Sequence, residues 1–241
     1  MRYSFLLTLA VLAPGARLRA QQMSGRGMVV PNNLEFVSQQ LDRGKGIRPN
    51  ANVKGTPMLS DSWTLGRVHI LQTTYAPVWL KYNLVTNQLL WRRPTGDSLE
   101  LNTAQITEFS LGDSLQGKRA AFRRYLTARI EAPELRTRFF EVRYDAGRAA
   151  LLRLRTKQLS SSSGNSPSLN EARPPWWTES TQYYVKRTDN TVVPVRLTEK
   201  ALLEALGPEH APALTAYAKQ AKLSLKKEAD VVRLMAYYDS L

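Results

Sequence analysis

Between Thr56 and Gln158 apolar and polar residues alternate with a period of two, and β-branched and aromatic side chains are bounded by turn residues. That period puts every second side chain on one face of a pleated strand, the signature of antiparallel strands with one buried and one solvated side. The chain has no cysteine, so such a sheet must be held by a packed core and not by covalent staples.

Hairpins can be tested by parity, because residues facing each other across two strands lie on the same side of the sheet. A two-residue turn at Thr86-Asn87 sets Leu84 opposite Leu89 and Tyr82 opposite Trp91, which keeps one face apolar. At Asp145-Ala146-Gly147 a two-residue turn would put Phe140 and Val142 on the face of Arg153 and Arg155. A three-residue turn with Gly147 left-handed instead sets Phe140 opposite Leu152 and Val142 opposite Ala150. Glu141 and Arg143 then point the other way, with Arg153 and Arg155. Further strands are expected at Trp63 to Leu71, Ser98 to Leu101, Gln105 to Leu111 and Lys118 to Arg129, with a last hairpin of Gln182 to Lys186 and Thr191 to Val195. Pro194 suits a sheet edge. Sequential strands usually pair, so the expected fold is mainly β: a curved antiparallel meander of half-barrel form.

The last segment changes to helical spacing. Thr198 is an expected N-cap, Gly207-Pro208 a stop and restart, and Ser224 another cap, giving three short C-terminal helices. Leu202, Leu203 and Leu206 share a face on the first; Leu214, Tyr217, Ala218 and Ala221 on the second; Leu225, Val232, Met235 and Tyr238 on the third. The division is therefore a signal peptide over 1–22, an extended arm over 23–55, a sheet domain over 56–196 with a mobile Ser/Pro-rich loop at 160–175, and a helical segment over 197–241. The arm carries one helix-like patch at Leu34, Phe36, Val37 and Leu41.

Met1-Arg2, the apolar run from Tyr3 to Ala13 and the small residue Ala20 follow the order of a cleavable secretory signal. The run is well short of the roughly 20 apolar residues that a membrane-spanning helix needs, and no later segment approaches that length. The formal charge is +14, and it stays strongly positive after Arg2, Arg17 and Arg19 leave with the signal. A field of that sign attracts anions such as acidic glycans or lipid headgroups. Export argues against nucleic acid and leaves an anionic envelope component, or another envelope protein, as the expected partner. Solubility alone is the competing explanation of the charge.

Conventional catalytic patterns are missing. With two histidines far apart and no cysteine, neither a zinc cluster nor a Cys-His nucleophile can be assembled from a local motif, and no Gly-rich phosphate loop opens a helix. Gly96-Asp97-Ser98-Leu99 and Gly112-Asp113-Ser114-Leu115 match the nucleophile block of a family of serine esterases, but the downstream Asp-x-x-His is absent and Gly-Asp-Ser is ordinary turn chemistry. Among Glu100, Glu108, Asp113, Glu131, Glu134 and Glu141, spacing singles out no acid-base pair. No catalytic residue, cofactor or metal site is expected. Trp176 and Trp177, with Tyr183, form a candidate ligand-contact surface for stacking sugar rings; anchoring of the preceding loop on the sheet is the competing reading. Lys219, Lys222, Lys226 and Lys227 make a basic patch between the last two helices.

Lys54-Gly55-Thr56-Pro57-Met58-Leu59, Leu80-Lys81-Tyr82-Asn83, Phe139-Phe140-Glu141-Val142 and the ending Ala236-Tyr237-Tyr238-Asp239-Ser240-Leu241 resemble exported β-rich proteins of the Bacteroidota. The resemblance implies export and this layout; those proteins carry no assigned activity, so it transfers no functional residue. The expected function is non-enzymatic binding or structural work in the cell envelope, periplasmic, outer-envelope associated or secreted. The alternatives are a lipid or lipoprotein carrier with an apolar cavity between helices and sheet, and a serine hydrolase.

Overall fold

The structure, a computed structural model, describes residues 53–112, 119–161 and 174–241, together with the backbone of Met28–Val29. The expected signal, the Leu34 to Leu41 patch, Ser114 and most of the Ser/Pro-rich loop lie outside the described residues. The period-two segment forms β2 (Thr64–Ile70), β3 (Thr73–Tyr82), β4 (Leu89–Arg92), β5 (Ser98–Leu101), β6 (Ile106–Leu111), β7 (Ala120–Arg123), β8 (Arg129–Ile130), β9 (Phe140–Asp145) and β10 (Ala150–Ser160). β11 (Trp176–Lys186) and β12 (Thr191–Val195) follow, and a short β1 (Met28–Val29) precedes them all. Three helices end the chain: α1 (Glu199–Leu206), α2 (Ala211–Gln220) and α3 (Glu228–Ser240).

Among the described residues these strands make one open sheet in the order β5-β4-β3-β2-β6-β7-β9-β10-β11-β12-β8, with β1 on β3. Most pairs are antiparallel, as the alternation predicts, but β1 on β3 and β8 on β12 are parallel, so the sheet is mixed. It is also not a simple meander, because β6 returns beside β2. In a flat sheet β5 and β6 would lie about 19 Å apart, beyond the reach of the short connection through the 3-10 turn Thr103–Gln105, about 17 Å. The sheet therefore curls, and Leu101 and Ile106 enter one core with Val68, Leu80, Tyr82, Trp91, Phe109, Phe122 and Phe139. Phe109 stacks on Phe122 at 4.7 Å, and Tyr82 meets Phe109 edge-on at 5.1 Å.

Two expected turns differ in detail. Tyr82 pairs with Leu89 and Leu80 with Trp91, two residues from the expected register. Asn83 causes the shift: its Oδ1 accepts the N–H groups of Val85 (2.9 Å) and Thr86 (3.2 Å), which lengthens the loop. A shift of two preserves parity, so the apolar face is the expected one. In the β9–β10 hairpin Leu152 pairs with Val142 and Arg153 with Glu141, through a bulge next to Leu151. Gly147 is not left-handed; its missing side chain leaves room for the Asp239 carboxylate, which a Cβ there would displace. That carboxylate accepts the Arg148 N–H (2.8 Å) and the Tyr144 hydroxyl (2.6 Å).

The expected strand from Lys118 to Arg129 is interrupted after Arg123. The chain leaves the sheet there, and Tyr125, Ala128 and Ile130 cover Phe140, Ala150, Leu152, Leu154 and Tyr184. The opposite face carries Leu151, Val185 and Val195, covered by Leu202, Leu206, Leu214, Val231, Leu234 and Met235 of the helices. Burial on both faces explains the unbroken apolar run Ala149-Ala150-Leu151-Leu152. Each such core side chain contributes roughly 1.5–3 kcal/mol, and the helix–sheet interface is filled by them.

The helix limits follow local chemistry. Thr198 Oγ1 accepts the Ala201 N–H, and Gly207, with φ of 107°, ends α1. Ser224 does not cap α3, which starts at Glu228; its N–H donates to Asp230 Oδ2 at 3.0 Å instead. Pro194 faces Tyr184 on one side only, since β8 reaches no further than Val192. No helix among the described residues is long and apolar enough to cross a membrane.

Candidate functional site

Strand parity turns Leu65, Arg67 and His69 outward from β2, because Val68 and Ile70 point into the core. Register then sets Thr74, His69, Glu108 and Arg123 in one row across β3, β2, β6 and β7. Arg124 follows at the end of β7 and Arg119 precedes its start. Together with Thr107 and Phe109 they line an open hollow of about 400 Å³.

Inside it, His69 Nδ1 and Thr74 Oγ1 are hydrogen-bonded at 2.9 Å. Arg123 donates from Nε to Glu108 at 2.9 Å and from Nη1 to Asp145 at 2.5 Å. Burial pulls the Arg123 guanidinium down, and the hydrogen bonds to these two carboxylates outweigh it, so the group is held above the usual arginine value. Arg124 is different: burial lowers its guanidinium, Nη2 donates to the Ala104 carbonyl at 3.0 Å, and the buried Nε–H has no acceptor among the described residues. Arg67 and Arg119 are exposed and have no acidic partner among the described residues. The Arg124 guanidinium lies over the Phe139 ring at 5.1 Å, so Arg67 and Arg119 are the exposed cations left without a carboxylate at the hollow. Guanidinium groups in such a cluster bind carboxylate, sulfate or phosphate through paired N–H donors.

The outer face continues beyond the hollow. Leu65, Trp79 and Arg92 stand in one transverse row of β2, β3 and β4, with Leu65 41% and Trp79 48% exposed. Arg67 lies one row further along β2, about 7 Å from Leu65. Trp79 escaped the sequence analysis, although Val78 and Leu80 pointing inward fix it outward by parity.

Trp176, Trp177 and Tyr183 are not brought together. All three lie on β11, where Trp176 and Trp177 point to opposite faces and pair with Ser160 and Leu159. Tyr183 is six residues from Trp177, about 20 Å along the strand, and its hydroxyl donates to Glu228 at 2.8 Å. That bond belongs to a cluster fastening α3 to the sheet. Glu141, only 3% exposed, is bound by Arg153 (2.7 Å) and Arg143 (2.7 Å), and both arginines also bind Glu228 (2.9 and 2.6 Å). Burial pushes the Glu228 carboxyl up, but hydrogen bonds from Tyr183 and Arg143 and the charge of Arg153 outweigh it and hold it below the usual glutamate range.

The remaining motifs take structural places. Gly96 adopts φ of 95° in a turn, Asp97 pairs with Arg93, and Ser98 opens β5. His210 sits edge-on to Tyr238 at 5.1 Å. Lys219, Lys222, Lys226 and Lys227 are all exposed. No group of three or more His, Cys, Asp or Glu residues suited to a metal occurs among the described residues. Comparison with protein-family models, curated proteins and solved structures finds no match.

Proposed function

We propose that the protein is a non-enzymatic binding protein of the cell envelope, exported by its N-terminal signal, and that it holds an anionic component in the arginine hollow. The observation that carries this reading is that Arg67, Arg119, Arg123 and Arg124 line one open hollow, with Arg67 and Arg119 exposed and without an acidic partner among the described residues. A carrier would need an apolar cavity under the helices, where this interface is filled by Leu202, Leu214, Val231 and Met235.

The test is retention on a dextran sulfate column as salt is raised. Binding should weaken steeply as ions screen the exposed arginines. The double variant Arg67→Ala/Arg119→Ala should elute well before Lys219→Ala/Lys222→Ala, which removes the same net charge at a distant exposed patch. Equal elution of the two variants would reduce the charge to a solubility feature.

A further inference from the structure

We infer that the anionic ligand is an acidic saccharide chain lying across the outer face of β2, β3 and β4, with one sugar ring stacked on Trp79 and the acidic group of a neighbouring sugar held by Arg67. This inference rests on the anion-binding reading of the hollow and adds the class of ligand.

Three observations lead to it. Trp79 is 48% exposed on a strand paired on both sides, so its indole is presented on a rigid surface. An indole offers an apolar face with a polar edge, which suits partners that are themselves amphipathic. Its row neighbours are Leu65 and Arg92: an apolar contact on one side and, on the other, an exposed cation with no acidic partner among the described residues. Finally, the row is continuous with the arginine hollow, since Arg67 follows Leu65 on the same face of β2 at about 7 Å. A ring platform and an anion cradle therefore stand one row apart.

The two hollows along this face, about 400 Å³ around the arginines and about 450 Å³ around Pro77, Trp79 and Arg92, both open outward. Lipid chains need enclosure by apolar walls, and among the described residues both hollows of this face are open. Single-stranded nucleic acid is held by a series of aromatic rings on which successive bases stack. Here Leu65 and Arg92 occupy the positions beside Trp79 where further rings would be needed. A saccharide with one stacked ring and charged neighbours matches the pattern.

The experiment is isothermal titration of the mature protein with a heparin-derived hexasaccharide, and with polyphosphate of matched charge, for the parent, Trp79→Ala and Arg67→Ala/Arg119→Ala. Trp79 is exposed, so its removal leaves the core intact, and unchanged circular dichroism confirms this. The expected result is a loss of about tenfold for Trp79→Ala on the hexasaccharide, a stacking contribution near 1.4 kcal/mol, with polyphosphate binding unchanged. The arginine variant should weaken both. If Trp79→Ala binds the hexasaccharide as the parent does, or the parent binds only polyphosphate, the saccharide inference fails while the anion hollow stands. If the arginine variant leaves both ligands unaffected, the hollow itself is wrong. Tighter, Trp79-dependent binding of a single-stranded oligonucleotide would overturn the choice of saccharide in favour of nucleic acid.

Discussion

Replacing Glu228 tests how the helices are held to the sheet. Its carboxylate receives Arg143 Nε at 2.6 Å, Arg153 Nη1 at 2.9 Å and the Tyr183 hydroxyl at 2.8 Å, and its side chain is only 18% exposed. In Glu228→Ala two arginines share Glu141 alone, so one positive charge stays half-buried without a counter-charge. Breaking a fully buried pair costs about 3–5 kcal/mol. The arginine side chains here keep 22% and 30% of their exposure, so water recovers part of that and the expected loss is about 2–3 kcal/mol. Glu228→Gln keeps the shape and one acceptor oxygen and should lose roughly half as much. Urea denaturation followed by far-ultraviolet circular dichroism gives the midpoint and slope for each variant. A midpoint for Glu228→Ala that gives a loss below about 0.5 kcal/mol, the ordinary range of a surface substitution, would refute the argument. So would a Glu228→Gln variant less stable than Glu228→Ala.

The same carboxylate predicts a pH dependence. Its folded value lies below the unfolded one, so its stabilisation is complete above the unfolded glutamate pKa of about 4.3 and is lost as pH falls towards the folded value. Stability measured from pH 6 down to 3 should therefore drop more for the parent than for Glu228→Gln. Gly66→Ala should lose about 3 kcal/mol or more by denaturation, because the added Cβ runs into the Ser110 carbonyl oxygen where β2 meets β6; an unchanged midpoint would contradict that close approach. Leu71, exposed and left-handed with φ of 53° between β2 and β3, pays for a conformation that asparagine tolerates better, so Leu71→Asn should gain up to about 1 kcal/mol and raise the melting temperature. Thr198→Ala removes the cap on the Ala201 N–H and should lose about 1 kcal/mol or less, the bond being long at 3.4 Å.

Much of the fold is legible in the sequence, because strand and helix periods are local. Alternation alone places Tyr82, Leu89 and Trp91 on the core face and Glu141, Arg143 and Arg153 on the face later covered by α3. Those assignments survive the register changes at Asn83 and at the β9–β10 bulge, since parity depends only on the count of two. Thr198 and Gly207 bound α1 by their own chemistry. The interruption after Arg123 was not legible: Lys118 to Arg129 reads as one strand until the uncovered apolar face of Phe140 and Leu152 draws Tyr125 and Ala128 across it.

The candidate site lies on the other side of that line. The outward direction of Arg67 and Arg123 follows from the parity of β2 and β7, but the two become neighbours only because β6 returns to pair with β2 and β7 with β6. No local rule encodes that return; it comes from the curl that brings Leu101 and Ile106 into one core. Sequence by itself determined which side of each element faces inward, since that depends on torsion angles repeating along the chain. Only the tertiary structure decided which outward residues meet, since that depends on burying apolar surface between segments far apart in the chain.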